Sequence, residues 1–181
     1  MIYLVTQNPG KVRAASESFG KYGVELFPVD RDYPEIQADT SAEIARTTAL
    51  QAAKDYGAPA IREDHSLFIR HLGLPGPYTQ YVERQVPAAK LLMLLQGVLD
   101  RTGYFEIAAA YAEPDGFLKE YSYRVEIHIK TEEVIGDPRG GWNGVLALAG
   151  ETRAFTEYPE SERSGVWSKN FEEIADFLAT R

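Results

Sequence analysis

The chain has no cysteine, which excludes disulfide staples and thiolate metal centres, so any metal must be held by oxygen or imidazole. It has no apolar run long enough to span a bilayer, and nothing basic or cleavable ahead of Ile2-Tyr3-Leu4-Val5. It therefore reads as a cytoplasmic protein with no membrane partner. Cations are in deficit, with 19 Lys and Arg against 27 Asp and Glu and a net charge of -8. A surface of that sign is ill suited to displacing counterions from a polymeric nucleic acid. A small phosphorylated ligand remains compatible, since it needs only a few local cations and backbone amides. Repeats and low-complexity tracts are also missing. What is present is a globular composition: 181 residues, 44% hydrophobic and 25% charged, enough for one domain over residues 1–181 with a substantial core.

The most pointed stretch is Ala60-Ile61-Arg62-Glu63-Asp64-His65-Ser66-Leu67-Phe68-Ile69. Apolar residues at both ends read as short strands, with a turn between them carrying two adjacent carboxylates and an imidazole. Carboxylates held a few ångströms apart raise one another's pKa, and a bound divalent ion removes that repulsion. The stretch is therefore either an acid/base centre built on magnesium or a solvated charged turn.

Ile2 to Val5 is suited to a buried strand, and Thr6-Gln7-Asn8-Pro9-Gly10-Lys11 leads from it into an amphipathic helix with Val12, Ala15, Ser16 and Phe19 on one face. Asn8 can cap that helix with Pro9 at its first position. Amide N–H groups at a helix start, with a lysine in the first turn, form a natural phosphate cradle, although a plainly capped helix has the same appearance. Val24 to Val29 reads as a second strand beside the first. A polar connection with Tyr33-Pro34-Glu35-Ile36-Gln37 follows. Thr40-Ser41-Ala42-Glu43 then has the form of a capping box, opening a helix to about Tyr56 that Gly57 ends.

Gly73-Leu74-Pro75-Gly76-Pro77-Tyr78 is a shaped loop. The helix expected from about Pro87 to Gln96 is apolar almost all round through Leu91, Leu92, Met93, Leu94 and Leu95. It is either wholly buried in the chain or covered on one face by a partner subunit, a homodimer. Tyr104 to Tyr111 and Leu118 to Lys130 read as paired strands joined at Glu113-Pro114-Asp115-Gly116, with His128 on the polar face. Asp137-Pro138-Arg139-Gly140-Gly141-Trp142-Asn143-Gly144 is a glycine-rich loop able to admit a flat ring and stack it. Phe171, Ile174, Ala175 and Leu178 mark a closing amphipathic helix.

Taken in order, these segments resemble the Ham1 family, the inosine triphosphate pyrophosphatases that cleave noncanonical purine nucleoside triphosphates to monophosphate and pyrophosphate. Thr6-x-Asn8-x-x-Lys11 is similar to the family's T-x-N-x-x-K phosphate loop, and Tyr33-Pro34-Glu35-Ile36-Gln37 to its metal-ligand segment. Glu63-Asp64-His65-Ser66-Leu67 is similar to the E-D-(T/S)-x-L catalytic strand, and Gly73-Leu74-Pro75-Gly76-Pro77-Tyr78 to the G-x-P-G-x-Y loop. Pro138-Arg139-Gly140 and Phe155-Thr156-Glu157-Tyr158-Pro159 are weaker matches.

The resemblance implies an α/β fold with an elongated mixed sheet flanked by helices, two lobes with a central cleft, and a homodimer. It also implies a Mg²⁺ cofactor, with Mn²⁺ as the alternative ion, and a nucleoside triphosphate substrate. Thr6, Gln7, Asn8, Pro9, Gly10 and Lys11 would hold the triphosphate. Glu35 and Asp64 would bind the metal, and Asp64 would also orient or deprotonate the attacking water, with Lys11 neutralising charge. His65, Arg139, Trp142, Asn143, Arg163, Ser168, Lys169 and Asn170 would line the substrate. Departures fall mostly toward the C-terminus, where Asn143 replaces an aspartate; earlier in the chain His65 replaces a serine or threonine. The S-H-R element, which reads the purine 6-keto group in the family, is matched by Ser168 and Lys169 when aligned without a gap from Arg163, or by Lys169 and Asn170 with one inserted residue. The same chemistry on another nucleotide in a biosynthetic pathway, or nucleotide binding without turnover, are the alternative readings.

Overall fold

The computed structural model describes every residue except Asp32, Glu35, 137–139 and 160–164. Along the chain lie β1 (Ile2–Val5), α1 (Pro9–Gly20), β2 (Leu26–Val29), α2 (Ser41–Tyr56), β3 (Ala60–Ile69), β4 (Leu74–Gly76), α3 (Thr79–Gln85) and α4 (Ala88–Leu94). After these come β5 (Thr102–Ala112), β6 (Leu118–Ile129), β7 (Leu146–Leu148), a 3₁₀ turn at Phe155–Glu157 and α5 (Lys169–Ala179). The strands form a mixed seven-stranded sheet in the order β2-β1-β3-β5-β6-β7, with β4 paired to β3. The class is the expected α/β. Two compact units divide the chain, residues 1–65, 107–123 and 163–181 in one and residues 66–106 and 124–162 in the other, with β3, β5 and β6 each running from one into the other.

In the first unit β1 pairs in parallel with β2 on one side and β3 on the other. Alternate side chains point to opposite faces of a strand, and both faces are covered. Leu4, Ile61, Ala109 and Tyr111 pack with Ala14, Ala15 and Phe19 of α1 and with Phe171, Ile174 and Ala175 of α5. Val5, Ala60, Ala110 and Ala112 pack instead with Ala45, Ala49, Ala52 and Ala53 of α2. The alanine stripe lets α2 lie close to the sheet. The buried face of α1 is turned from the expected one: Ser18 lies inside, its hydroxyl donating to the Ala14 carbonyl at 2.9 Å, while Ser16 is exposed. That internal bond satisfies the hydroxyl and lets a serine occupy a core position.

In the second unit, Gly103 is required by close packing, because a Cβ there would lie 2.6 Å from the Phe68 carbonyl oxygen. Arg101 donates to the carbonyls of Leu95 and Ile129 at 2.8 and 2.9 Å and also to that of Lys130, pairing acceptors at the ends of α4 and β6. The apolar helix is α4, shorter than expected and preceded by α3, which the dense loop chemistry around it concealed. Leu91 and Leu95 are buried, but Met93 and Leu94 are 72% and 58% exposed, so complete burial within the chain is ruled out. Among the described residues, no helix is long and apolar enough to cross a membrane.

Candidate active site

The order β2-β1-β3 means that the chain leaves β1 through α1 to one neighbour and returns through α2 to the other. The two helices lie on opposite faces of the sheet, so the carboxyl end of β1 is a topological switch point, where an open α/β sheet leaves a crevice. Two helix starts converge on that strand end. Asn8 caps α1, its side-chain oxygen accepting from the amides of Gly10 and Lys11 at 2.8 and 3.3 Å, with Pro9 first in the helix. Thr6, buried just after β1, accepts from the Asn8 amide at 3.1 Å and so shapes the turn. Gln7, Pro9 and Gly10 are exposed. Thr40 and Glu43 form the capping box that starts α2, and Gly57 ends it in a left-handed conformation at φ 61°.

The acidic stretch is no turn. β3 runs unbroken from Ala60 to Ile69, so the expected break between two short strands is overturned. The pleat then sends Glu63 and Asp64 to opposite faces. Asp64 is partly buried and accepts a hydrogen bond from the Ser41 hydroxyl, at the first position of α2, at 2.9 Å. Glu63 is 2% exposed. Its backbone carbonyl accepts from the Lys11 ammonium at 2.9 Å, and its carboxylate lies 3.8 Å from the same nitrogen. Lys11 is thereby held at the residue before Asp64. The other Glu63 oxygen, Oε1, is buried with no hydrogen-bond partner among the described residues.

His65 shares the Glu63 face, and its Nε2 lies 3.0 Å from Glu63 Oε2. Burial pulls this imidazole below its ordinary pKa and Lys11 adds to the shift, against the opposing pull of Glu63 and Asp64. A neutral ring facing a carboxylate donates from Nε2 and leaves Nδ1 as an acceptor. Across the ring lies Trp167, with centroids 5.8 Å apart and planes inclined by 28°. The Tyr123 hydroxyl donates to the Val166 carbonyl at 2.9 Å, and burial, followed by nearby Glu63, pushes the phenol above its usual range. Lys169 is exposed, its ammonium 5.6 Å from the centre of the Tyr123 ring.

The remaining expected site residues fare unevenly. Asn170 is 1% exposed and donates to the Ile107 carbonyl at 3.0 Å, so its amide is engaged in the fold. Ser168 is buried, with its carbonyl accepting from the Glu172 amide. Trp142 does not present a stacking face: it is 1% exposed, its indole donates to the Val86 carbonyl at 2.7 Å, and its amide donates to Glu83 at 2.6 Å. The glycine-rich loop serves that packing, since a Cβ on Gly141 would lie 2.4 Å from Glu83. Asn143 donates weakly to the Gly140 carbonyl at 3.4 Å. Glu35, Arg139 and Arg163 lie outside the described residues. Ser41 and Trp167 are the participants that sequence reasoning missed. Nothing in a capping box marks its second residue as the holder of a distant aspartate, and Trp167 is conspicuous only as one of 2 tryptophans.

As a metal site, the described residues offer Asp64, a hard oxygen donor held at a fixed angle by Ser41. No group of three His, Cys, Asp or Glu among them could form a complete cage. A carboxylate oxygen is the kind of hard donor that magnesium takes, together with waters and substrate phosphates.

Comparison with known proteins agrees with this architecture. The chain is 35% identical to a dITP/XTP pyrophosphatase of Methanopyrus kandleri over 90% of its length and 86% of that relative's. It is 32% identical to one of Ignicoccus hospitalis over 98% and 96%. Its fold superposes on the Ham1 protein of Staphylococcus aureus with a TM-score of 0.81 at 19% identity, covering 99% of both chains. A HAM1 protein from Coxiella burnetii gives 0.79 at 21%, covering 99% of this chain and 98% of that one. Residues 2–173 match the model of the Ham1 family, and the chain belongs to that family.

Proposed function

We propose that the chain is a cytoplasmic, magnesium-dependent nucleoside triphosphate pyrophosphatase that adds water to a noncanonical purine triphosphate, inosine, xanthosine or deoxyinosine, releasing the monophosphate and pyrophosphate. The observation that carries it is the convergence of two capped helix starts, Lys11 and Asp64 on the carboxyl end of β1. Helix-terminal amides and an ammonium suit a polyphosphate, while a carboxylate fixed by a hydroxyl suits water. Phosphoryl transfer asks little covalent chemistry of a protein. It asks that the charge on the reacting and leaving groups be neutralised and the nucleophile held in line.

Lys11 and the positive end of α1 bind the phosphates, Asn8 and Thr6 shape the loop that presents them, and Asp64 orients the attacking water and takes its proton. Asp64 and Glu35 would hold magnesium, which when bound supplies Lewis-acid neutralisation of phosphate oxygens. The exposed Met93 and Leu94 suit a homodimer contact. A second reading, the same chemistry on a different nucleotide, draws on Asn143 and Lys169, which replace groups of the family's base-reading segments. A panel of triphosphates with Mg²⁺, read for pyrophosphate against orthophosphate, tests both. Orthophosphate release would refute them.

A further inference from the structure

His65 and Trp167 lie 102 residues apart in the sequence and meet ring to ring. The contact is braced from both sides. His65 is tied at 3.0 Å to Glu63, which is buried and also faces Lys11. Trp167 sits between Val166, whose carbonyl is held by Tyr123, and Asn170, whose amide is held by Ile107. Trp167 is only partly buried, one imidazole away from the group that holds Lys11. Trp142, the other tryptophan, is enclosed in the core and cannot serve as a ring platform.

We propose that Trp167, backed by His65, is the surface on which the nucleobase stacks and is therefore a substrate-binding residue; this rests on the nucleotide pyrophosphatase reading above. Lys11 fixes the phosphate end of the substrate, and Trp167 receives the ring end. A stack reads the π face that every base carries, not its edge donors and acceptors. This contact consequently discriminates less among bases than a site built to hydrogen-bond one base edge.

The test measures kcat and KM for inosine, xanthosine and adenosine triphosphates with Mg²⁺, and inhibition by inorganic tripolyphosphate, in the wild type, W167A and W167F. Removing a base–aromatic stack weakens binding roughly five- to hundredfold. W167A should raise every nucleotide KM by about fivefold or more, leave inhibition by tripolyphosphate unchanged, and be largely rescued in W167F. Unchanged nucleotide KM values, or equal weakening of nucleotides and tripolyphosphate, would overturn the proposal. Tryptophan emission gives a second readout should W167A not fold. Inosine triphosphate should quench the wild type, tripolyphosphate should not, and W167F should lose the quench. Emission unmoved at nucleotide concentrations that saturate binding by calorimetry would overturn it. If the wild type releases no pyrophosphate from any nucleotide, the pyrophosphatase reading falls on its own, and the quench still decides the stack.

Discussion

A single carboxylate and its hydroxyl partner bear the chemistry assigned here. Asp64→Asn keeps the shape and the contact with Ser41 but removes the proton acceptor. Turnover should fall by roughly a thousandfold or more while triphosphate binding stays measurable by calorimetry. A variant with near-normal kcat would remove Asp64 from the mechanism. Ser41→Ala tests the orienting bond alone. Hydrogen bonds to charged groups contribute about 1.5–3 kcal/mol, so kcat should drop by about tenfold or more with KM little changed. An increase in KM alone would move Ser41 from positioning the aspartate to binding the substrate. Glu63 illustrates what residue identities conceal. Adjacent carboxylates suggest a shared ion, yet the pleat separates them, and Glu63 holds Lys11 and His65 while Asp64 faces α2.

Helix starts matter more than helix bodies in this protein. Asn8 satisfies two amides of α1, and Asn8→Ala should cost about 1 kcal/mol, lowering Tm by about 2–4 °C in a chain of this size. Because the loop that carries Lys11 toward the phosphates loses this brace, KM for the triphosphate should rise in the same variant; calorimetry and steady-state kinetics check the two effects separately. These starts were legible in the sequence because capping is local chemistry, and Asn8-Pro9 and Thr40-x-x-Glu43 carry their own signal. The inward face of α2 was legible too, since Ile44, Thr48, Ala49, Ala52 and Ala53 repeat at helical spacing and all are buried. β3 was not. A strand that runs on past the end of its neighbour β1 carries polar residues on both faces in its middle, and that pattern is indistinguishable from a charged turn until its neighbours are known. Trp142 misled for a related reason: glycines that permit a close core contact look the same as glycines that admit a ligand.

At the scale of the molecule, sheet order decides where the site lies. Placing β1 between β2 and β3 turns two connections that are distant in sequence into opposite walls of one crevice, and no local pattern announces that. The first unit carries every described residue proposed here for catalysis or phosphate binding, while the second exposes apolar side chains on α4. Leu94→Glu places a charge on that face without touching the site. In size-exclusion chromatography with light scattering, the wild type should run as a dimer and the variant as a monomer at micromolar concentration. A wild type that is monomeric throughout would assign the face another role.

The most direct measurement of the central claim is ³¹P NMR of inosine triphosphate incubated with Mg²⁺ and the protein, with Asp64→Asn as its partner sample. The account predicts inosine monophosphate and pyrophosphate in equal amounts from the wild type and an unchanged triphosphate spectrum from the variant. Orthophosphate with inosine diphosphate, or equal pyrophosphate from both proteins, would contradict it.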